Sequence, residues 1–366
     1  MNISIEKNEF YRAVNTASRF ADKKGSALPV LSSILIISGD DGIKMRATNL
    51  ETGIDLKIKG TSISDGVVAI PAQILSQIAS SFNQEGNITL EHLGDNISVS
   101  TNRGKSIIKT TQSEDFPSIP FPENPKNSLS LPGAILKTIF TSISSYASTS
   151  MVRPELSSIF ITIEGDILTA VATDSFRLVE KKIPLQNKGI QGKFLIPAKN
   201  AIDIAQAIPD TEVQMSFDDH QCAFVWETGT IVSRLTNATY PDYRQILPKD
   251  FIAEIVVLRK DFESAMKRTT IFSDAFQKVN LQINTKKNTL SFFAKNPDIG
   301  ESSESIPGKV SGESIDLSFN HRYLSSFLSL TNAESISLKA SGVGRPLIIS
   351  GVGDTSLLCL ISPMNQ

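Results

Sequence analysis

The chain has 366 residues, 40% of them hydrophobic and 20% charged, which allows two or three domains with real cores. No apolar run nears the roughly 20 residues that span a bilayer, and the opening MNISIEKNEF carries charge where a secretory signal carries an apolar stretch. Cys222 and Cys359 lie far apart without a CxxC pair, so a reducing cytoplasm fits better than a disulfide framework, and the net charge of −2 offers no overall attraction to nucleic acid.

Phe10, Val14 and Ala17 recur at helical spacing and predict an opening amphipathic helix. A strand over 34–37 and a turn at Gly39-Asp-Asp-Gly42 follow, then a second, short helix over 72–81. After a linker at 120–126 the same plan restarts. Ile135, Ile139 and Ile143 predict a helix, 159–163 a strand, Glu164-Gly-Asp166 a turn, and 198–207 a short helix. A second linker at 248–252 leads to a helix carrying Phe262 and Met266, and 322–330 predicts the last one. Two helices beside several short antiparallel strands make each unit α+β, and nothing alternates strand and helix as a doubly wound parallel sheet would.

The repetition is also visible in the letters. Leu31-Ser-Ser-Ile-Leu-Ile36 returns 125 positions on as Leu156-Ser-Ser-Ile-Phe-Ile161. Ala47-Thr-Asn49 returns as Ala172-Thr-Asp174, Ile70-Pro-Ala72 as Ile196-Pro-Ala198, and Phe116-Pro117 as Tyr240-Pro241. A fainter third copy matches Leu290–Asn296 to Leu168–Asp174, and Pro363 to Pro241. Ordered matches at nearly one spacing mean internal duplication. The expected domains are 1–122, 127–248 and 249–366, each of ordinary domain length.

Charge is placed unevenly. The helical windows hold Lys7, Arg12, Arg19, Lys137, Lys199, Arg259, Lys260, Lys267, Arg268 and Arg322 against Glu6, Glu9, Asp203, Asp261 and Glu263. They therefore carry +5 and the remainder −7. Such cations are either ordinary solvated faces or, if the helices share one cavity, a basic lining that attracts phosphate without reading sequence.

No catalytic constellation emerges. His92, His220 and His321 show no HxxxH or HExxH spacing, so no metal is expected. There is no GxGxxG, GxxxxGK[ST] or GxSxG, hence no cofactor cradle and no nucleophile elbow. Asp218-Asp-His220 reads as a polar turn, and Trp226 within Ala223-Phe-Val-Trp226 as strand core. No enzyme activity is expected.

Three segments carry a family resemblance: Ala172-Thr-Asp-Ser-Phe-Arg-Leu178, Tyr240-Pro-Asp-Tyr-Arg-Gln-Ile-Leu-Pro248 and Leu360-Ile-Ser-Pro-Met364. With Leu28-Pro-Val-Leu31, the length and the three repeats, the chain resembles the bacterial DNA sliding clamp, the beta subunit of DNA polymerase III. The resemblance implies a head-to-tail homodimer, a ring of six like domains with helices lining the hole and sheets on the rim. It also implies a non-enzymatic processivity factor that encircles double-stranded DNA without sequence preference.

The resemblance makes Lys24, Arg153 and Lys199 candidate DNA contacts, and charge adds Lys137, Lys267 and Arg268. It implies a peptide groove for the replicative polymerase, the clamp loader and other clamp-motif proteins. That groove would be built from Leu156, Thr173, Ser175, Arg177, Leu178, Pro241, Ile246, Pro346, Leu360, Ile361, Pro363 and Met364; core packing is the competing reading. It further implies that Arg103, Lys105 and Ile108 of one subunit meet Ile271, Phe272, Asp298 and Glu301 of the next. Phe176 stands where the family often has His, Ser362 replaces a common apolar residue, and the tail ends Asn365-Gln366 without a basic residue. Pro154-Glu155 follows Arg153 where some members carry aromatics. Two other readings stay open: a duplicate clamp that confers resistance to a clamp-binding antibiotic, and a repeat-built structural protein.

Overall fold

The computed structural model describes residues 1–23, 28–82, 86–121, 127–186 and 189–364. The first repeat runs β1 (Asn2–Glu6), α1 (Lys7–Ala17), β2 (Ser33–Gly39), β3 (Gly42–Thr48), β4 (Thr52–Ile58), β5 (Gly60–Ser64), β6 (Gly66–Pro71), α2 (Ala72–Ser81), β7 (Asn87–Leu93), β8 (Asn96–Ser100) and β9 (Lys105–Lys109). The second runs β10 (Asn127–Pro132), α3 (Gly133–Ser144), β11 (Ser158–Glu164), β12 (Ile167–Thr173), β13 (Arg177–Pro184), β14 (Gly192–Pro197), α4 (Ala198–Ala207), β15 (Glu212–Phe217), β16 (Gln221–Trp226) and β17 (Gly229–Arg234). The third runs β18 (Ala253–Leu258), α5 (Arg259–Thr269), β19 (Lys278–Asn284), β20 (Thr289–Asn296), β21 (Gly300–Pro307), β22 (Lys309–Gly312), β23 (Ile315–Asn320), α6 (His321–Leu328), β24 (Ser335–Ala340), β25 (Leu347–Gly351) and β26 (Leu357–Ile361).

Local chemistry explains the helix limits. The Glu6 carboxylate accepts from the Glu9 N–H at 3.0 Å and caps α1. Asn320 Oδ1 accepts from the Arg322 N–H at 2.9 Å and caps α6. Both α2 and α4 begin directly after the proline of an Ile-Pro-Ala motif, over the ranges the sequence predicts. Asp261 in the first turn of α5 and Lys267 and Arg268 in the last suit the helix dipole. The last helix ends at Leu328, two residues short of the expected limit, with Ser329 as its cap.

Contacts divide the chain into two compact units. The first holds Met1–Phe140 and Lys199–Thr236, the second Thr141–Ala198 and Asn237–Gln366. Among the described residues, the first unit contains a five-stranded sheet β5-β1-β7-β8-β9 and an eight-stranded sheet β10-β15-β16-β17-β4-β3-β2-β6. Helices α1 and α2 pack on each other, and α1 lies on β3 and β4. Phe10, Val14, Phe20 and Leu75 are fully buried there.

The second unit contains a nine-stranded sheet β14-β11-β12-β13-β26-β25-β24-β18-β22 and a four-stranded sheet β21-β20-β19-β23 among its described residues. Phe262 of α5 meets Phe292 of β20 edge-on, ring centres 5.2 Å apart. The two largest sheets each join strands of neighbouring repeats, β17 to β4 and β13 to β26, all antiparallel. The two compact units therefore divide the middle repeat between them, although the sequence repeats three times.

Candidate functional site

Four side-chain hydrogen bonds hold the hairpin between β12 and β13. Asp174 Oδ1 accepts from the N–H groups of Phe176 and Arg177, each at 3.0 Å. Thr173 Oγ1 donates to the Arg177 carbonyl at 2.7 Å and accepts from the Ser175 N–H at 3.1 Å. Ser175 sits at φ 77°, a left-handed conformation that the two flanking bonds hold in place. A short polar side chain suits that geometry.

Arg177 leaves this turn with each of its three guanidinium nitrogens donating a hydrogen bond. Its Nε donates to Asp174 Oδ2 at 3.0 Å, Nη1 to Ser326 Oγ at 2.9 Å, and Nη2 to the Ser145 carbonyl at 2.6 Å. The guanidinium lies 4.5 Å from the Tyr146 ring centre and 4.9 Å from that of Tyr323. Ser326 Oγ also donates to the Tyr146 hydroxyl, and Cys359 Sγ lies 3.3 Å from it. Burial pushes the Tyr146 phenol far above its ordinary value, so it stays neutral. Phe176, 60% exposed, stacks on Tyr323 at 6.5 Å.

Around this turn β13 pairs with β26, Arg177 opposite Ile361 and Leu178 opposite Leu360. The following chain is tied down by Ser362 N–H to the Phe176 carbonyl at 2.8 Å and Met364 N–H to the Ser318 carbonyl at 2.7 Å. Leu178, Leu360, Tyr240 and Tyr243 share one buried cluster, and Tyr243 donates to the Glu180 carboxylate at 2.5 Å.

The twelve residues expected in a groove therefore fall into layers. Leu156, Thr173, Leu178, Leu360 and Ile361 are buried, while Arg177, Pro346, Pro363 and Met364 are half-buried. Ser175, Pro241 and Ile246 are exposed. Pro346, Pro363 and Met364 line a cleft of 370 Å³ together with Asp316 and Ser318. Tyr146, Tyr323 and Ser326 escaped sequence reasoning, since no local pattern ties them to a turn so distant in the chain.

The expected DNA contacts are engaged to different degrees. Lys137 pairs with Asp210 at 2.6 Å, Arg153 with Glu155 at 2.9 Å, Lys267 with Glu263 at 2.8 Å and Arg268 with Glu304 at 2.7 Å. Glu263 and Glu304 are held below the ordinary carboxylate range by these partners, and Glu155 by its own backbone N–H and then Arg153. Lys199 is exposed on α4, one turn before Asp203. Burial pushes the Asp203 carboxyl up, against the pull of Lys23, Lys199 and Arg19. Arg19 itself lies just past α1 and donates to Gln206. Lys24 lies outside the described residues.

The residues expected at a subunit joint lie on edge strands and their flanks, apart from Ile271 and Phe272, which lie in a short 3-10 turn after α5. β9 is the edge of the five-stranded sheet and β21 that of the four-stranded sheet. Arg103 and Lys105 are exposed, but Ile108 is only 5% exposed while Ile107 is 64% exposed. Strand alternation sends Ile108 inward and Ile107 outward, so the outward apolar residue is the neighbour of the expected one. Ile271 is 65% exposed, Phe272 half-buried, and Asp298, Ile299 and Glu301 exposed.

Nothing in these arrangements assembles an acid, a base and a nucleophile. Cys222 and Cys359 are buried free thiols, and burial pushes the Cys359 thiol up to about 12. Among the described residues no three His, Cys, Asp or Glu side chains stand as a metal cluster. Among them, too, no helix is long and apolar enough to cross a membrane.

A threefold-repeated α+β chain, whose large antiparallel sheets fuse neighbouring repeats, has the architecture of a DNA clamp. The comparisons agree along the whole length. The family descriptions "DNA polymerase III beta subunit" for N-terminal, central and C-terminal domains match residues 1–120, 130–242 and 244–365 in turn. The chain belongs to the bacterial DNA polymerase III beta subunit family, the sliding clamps. It is 27% identical to the beta sliding clamp of Streptococcus pneumoniae and 23% identical to that of Synechococcus elongatus, covering 100% of this chain and 99% of each relative. The crystal structure of the Bacillus subtilis sliding clamp aligns with TM-score 0.94 at 22% identity, over 100% of this chain and 99% of that one. The Pseudomonas aeruginosa clamp bound to griselimycin aligns with TM-score 0.93 at 21% identity, over 100% of both.

Proposed function

We propose that the chain acts as a processivity clamp without catalysis of its own, a head-to-tail homodimeric ring in the cytoplasm that encircles duplex DNA. The observation that carries this reading is a repeated joint. Asp55, Glu180 and Ser303 hold one place in the three repeats, opposite Arg46, Val171 and Phe293. Asp55 faces Thr230 across the first joint, and Glu180 faces Leu358 across the second. The same register carried once more sets Ser303 of one subunit against Lys105 of another, both on edge strands.

That register puts Ile107 opposite Glu301, makes Lys105 and Glu301 diagonal neighbours, and sets Ile108 opposite Gly300. Phe272 rests over Gly300, where an added Cβ would meet it at 3.6 Å. The joint then has an apolar centre and flanking opposite charges, as interfaces commonly do. Two chains of three repeats supply the six domains that the family resemblance implies. Retention on DNA is topological, so affinity need not be high.

Within the ring the helix cations attract phosphates and leave the protein free to slide, because backbone contacts set no sequence register. The exposed Lys199 contributes most and the ion-paired Lys137, Arg153, Lys267 and Arg268 less. Lys24 belongs to the same set. The cleft beside Met364 and the Thr173–Arg177 turn receive short peptides of the polymerase, the clamp loader and other clamp-motif proteins. The antibiotic-resistant duplicate and the structural protein draw no support from the comparisons. Sedimentation tests the joint: the wild type sediments as a dimer and Ile107→Glu with Ile271→Asp, which sets carboxylates against Glu301, as a folded monomer. A wild-type monomer would overturn the reading.

A further inference from the structure

The three repeats share an outer sheet face at corresponding positions. Leu35 pairs with Ala69 and Arg46 in the first, Phe160 with Leu195 and Val171 in the second, and Asn280 with Ser318 and Phe293 in the third. In the first repeat an aromatic of a later segment seats on this face: Phe116 packs on Leu35 and Ala69. In the second, Tyr240 packs on Leu195 and stacks on Phe160, ring centres 4.7 Å apart and planes within 13°. Each of these aromatics is followed by proline, Pro117 and Pro241.

In the third repeat a cleft of 440 Å³ lies over the same positions, lined by Asn280, Phe293, Ser303 and Ser318. Phe293 is 37% exposed there. This cleft shares Asp316, Leu317 and Ser318 with the 370 Å³ cleft beside Met364. The two adjoin along β23, so one extended chain can reach both. The approach is already sketched within the molecule. Thr111 N–H donates to the Ala69 carbonyl at 2.9 Å, and Met364 N–H makes the corresponding bond to Ser318.

We infer that the outer face of the third repeat is a docking site for an extended, aromatic-bearing segment of the clamp's peptide partners, seated as Phe116 and Tyr240 are seated in the other repeats. This rests on the groove proposed above and lengthens it. Ring contact with Phe293 and hydrogen bonds to Asn280, Ser303 and Ser318 favour an aromatic with a polar edge, tyrosine above phenylalanine. β23 is an edge strand of its sheet, and with Met364 N–H already on the Ser318 carbonyl the incoming backbone adds beside it at Asp316. The partner motif then has two parts, an apolar anchor beside Met364 and an aromatic beyond Asp316.

The test uses the full-length protein and three fluorescent peptides: the polymerase tail peptide, and the same peptide extended at either end by Asn-Ala-Thr-Tyr-Pro, the chain's own 237–241 segment. One extended peptide binds about threefold to tenfold tighter than the bare one, the range for one seated aromatic. Replacing its Tyr by Ser removes the gain. Phe293→Ser and, as a separate blocking variant, Asn280→Arg abolish the gain while the bare peptide binds as before. No gain at either end, or a gain that persists in both variants, overturns the docking site and leaves the groove standing. Failure of the bare peptide to bind at all overturns the groove, and this extension with it.

Discussion

The Arg177 guanidinium lies 4.5 Å from the centre of the Tyr146 ring, a cation held over a buried aromatic whose own hydroxyl stays neutral. With Asp174, Ser326 and the Ser145 carbonyl it ties the β12–β13 turn to the ends of two helices. Lysine can reproduce the charge but neither the fork nor the stacking. Arg177→Lys should therefore weaken binding of a polymerase tail peptide by about tenfold in calorimetric titration, equivalent to roughly 1.4 kcal/mol. Unchanged affinity would mean that the turn takes no part in peptide capture.

Leu178 has no exposed surface and packs with Tyr240 and Tyr243. Leu178→Ala should cost about 2–5 kcal/mol of stability, as other buried leucine truncations do. Denaturant unfolding measures this directly. A loss under about 1 kcal/mol would place the side chain in an open pocket instead of the core.

Lys199 is exposed, whereas Lys137 is bound to Asp210 at 2.6 Å. Lys199→Glu should reduce association with DNA more than Lys137→Glu, and more at low salt than at high salt. Asp210→Asn should strengthen binding by freeing Lys137. Equal effects of the two lysine variants, or an effect of Lys199→Glu that ignores salt, would contradict this ranking.

His321 Nε2 lies 2.8 Å from Gln277 Oε1, next to the segment carrying Ile271 and Phe272. Burial, and then Arg322, push its pKa below the ordinary value. The folded form thus binds protons less readily than the unfolded chain. Stability is full above about pH 6.5 and falls as pH drops through the lowered value. Thermal unfolding between pH 7.5 and 5 should show a steeper acid loss in wild type than in His321→Gln. Parallel curves would mean that His321 does not contribute to the acid loss.

Much of the helical framework is legible in the letters. Ile-Pro-Ala marks the starts of α2 and α4 because proline ends the strand and the next residues restart as a helix. The fusion of sheets across repeats is not legible, because β4 and β17 pair over a long stretch of sequence and their alternation is satisfied by any strand of matching length. For the same reason the choice between groove and core for Leu178 and Leu360 needs Tyr240 and Tyr243, which arrive from a distant segment. The ion pairs of Lys137 and Arg268 depend on Asp210 and Glu304, which share no helix with them. Ile107 and Ile108 differ by a single step of the pleat, and that step decides which one faces out.

A ring closed around DNA is held by an intact circle and released by a cut one. The protein is loaded by a bacterial clamp loader onto nicked circular DNA, separated from free protein by gel filtration, and the circle is then cut at one site. A ring stays with the intact circle through the column and leaves once the DNA is linear. Equal retention on circular and linear DNA, or equal loss from both, would contradict topological closure.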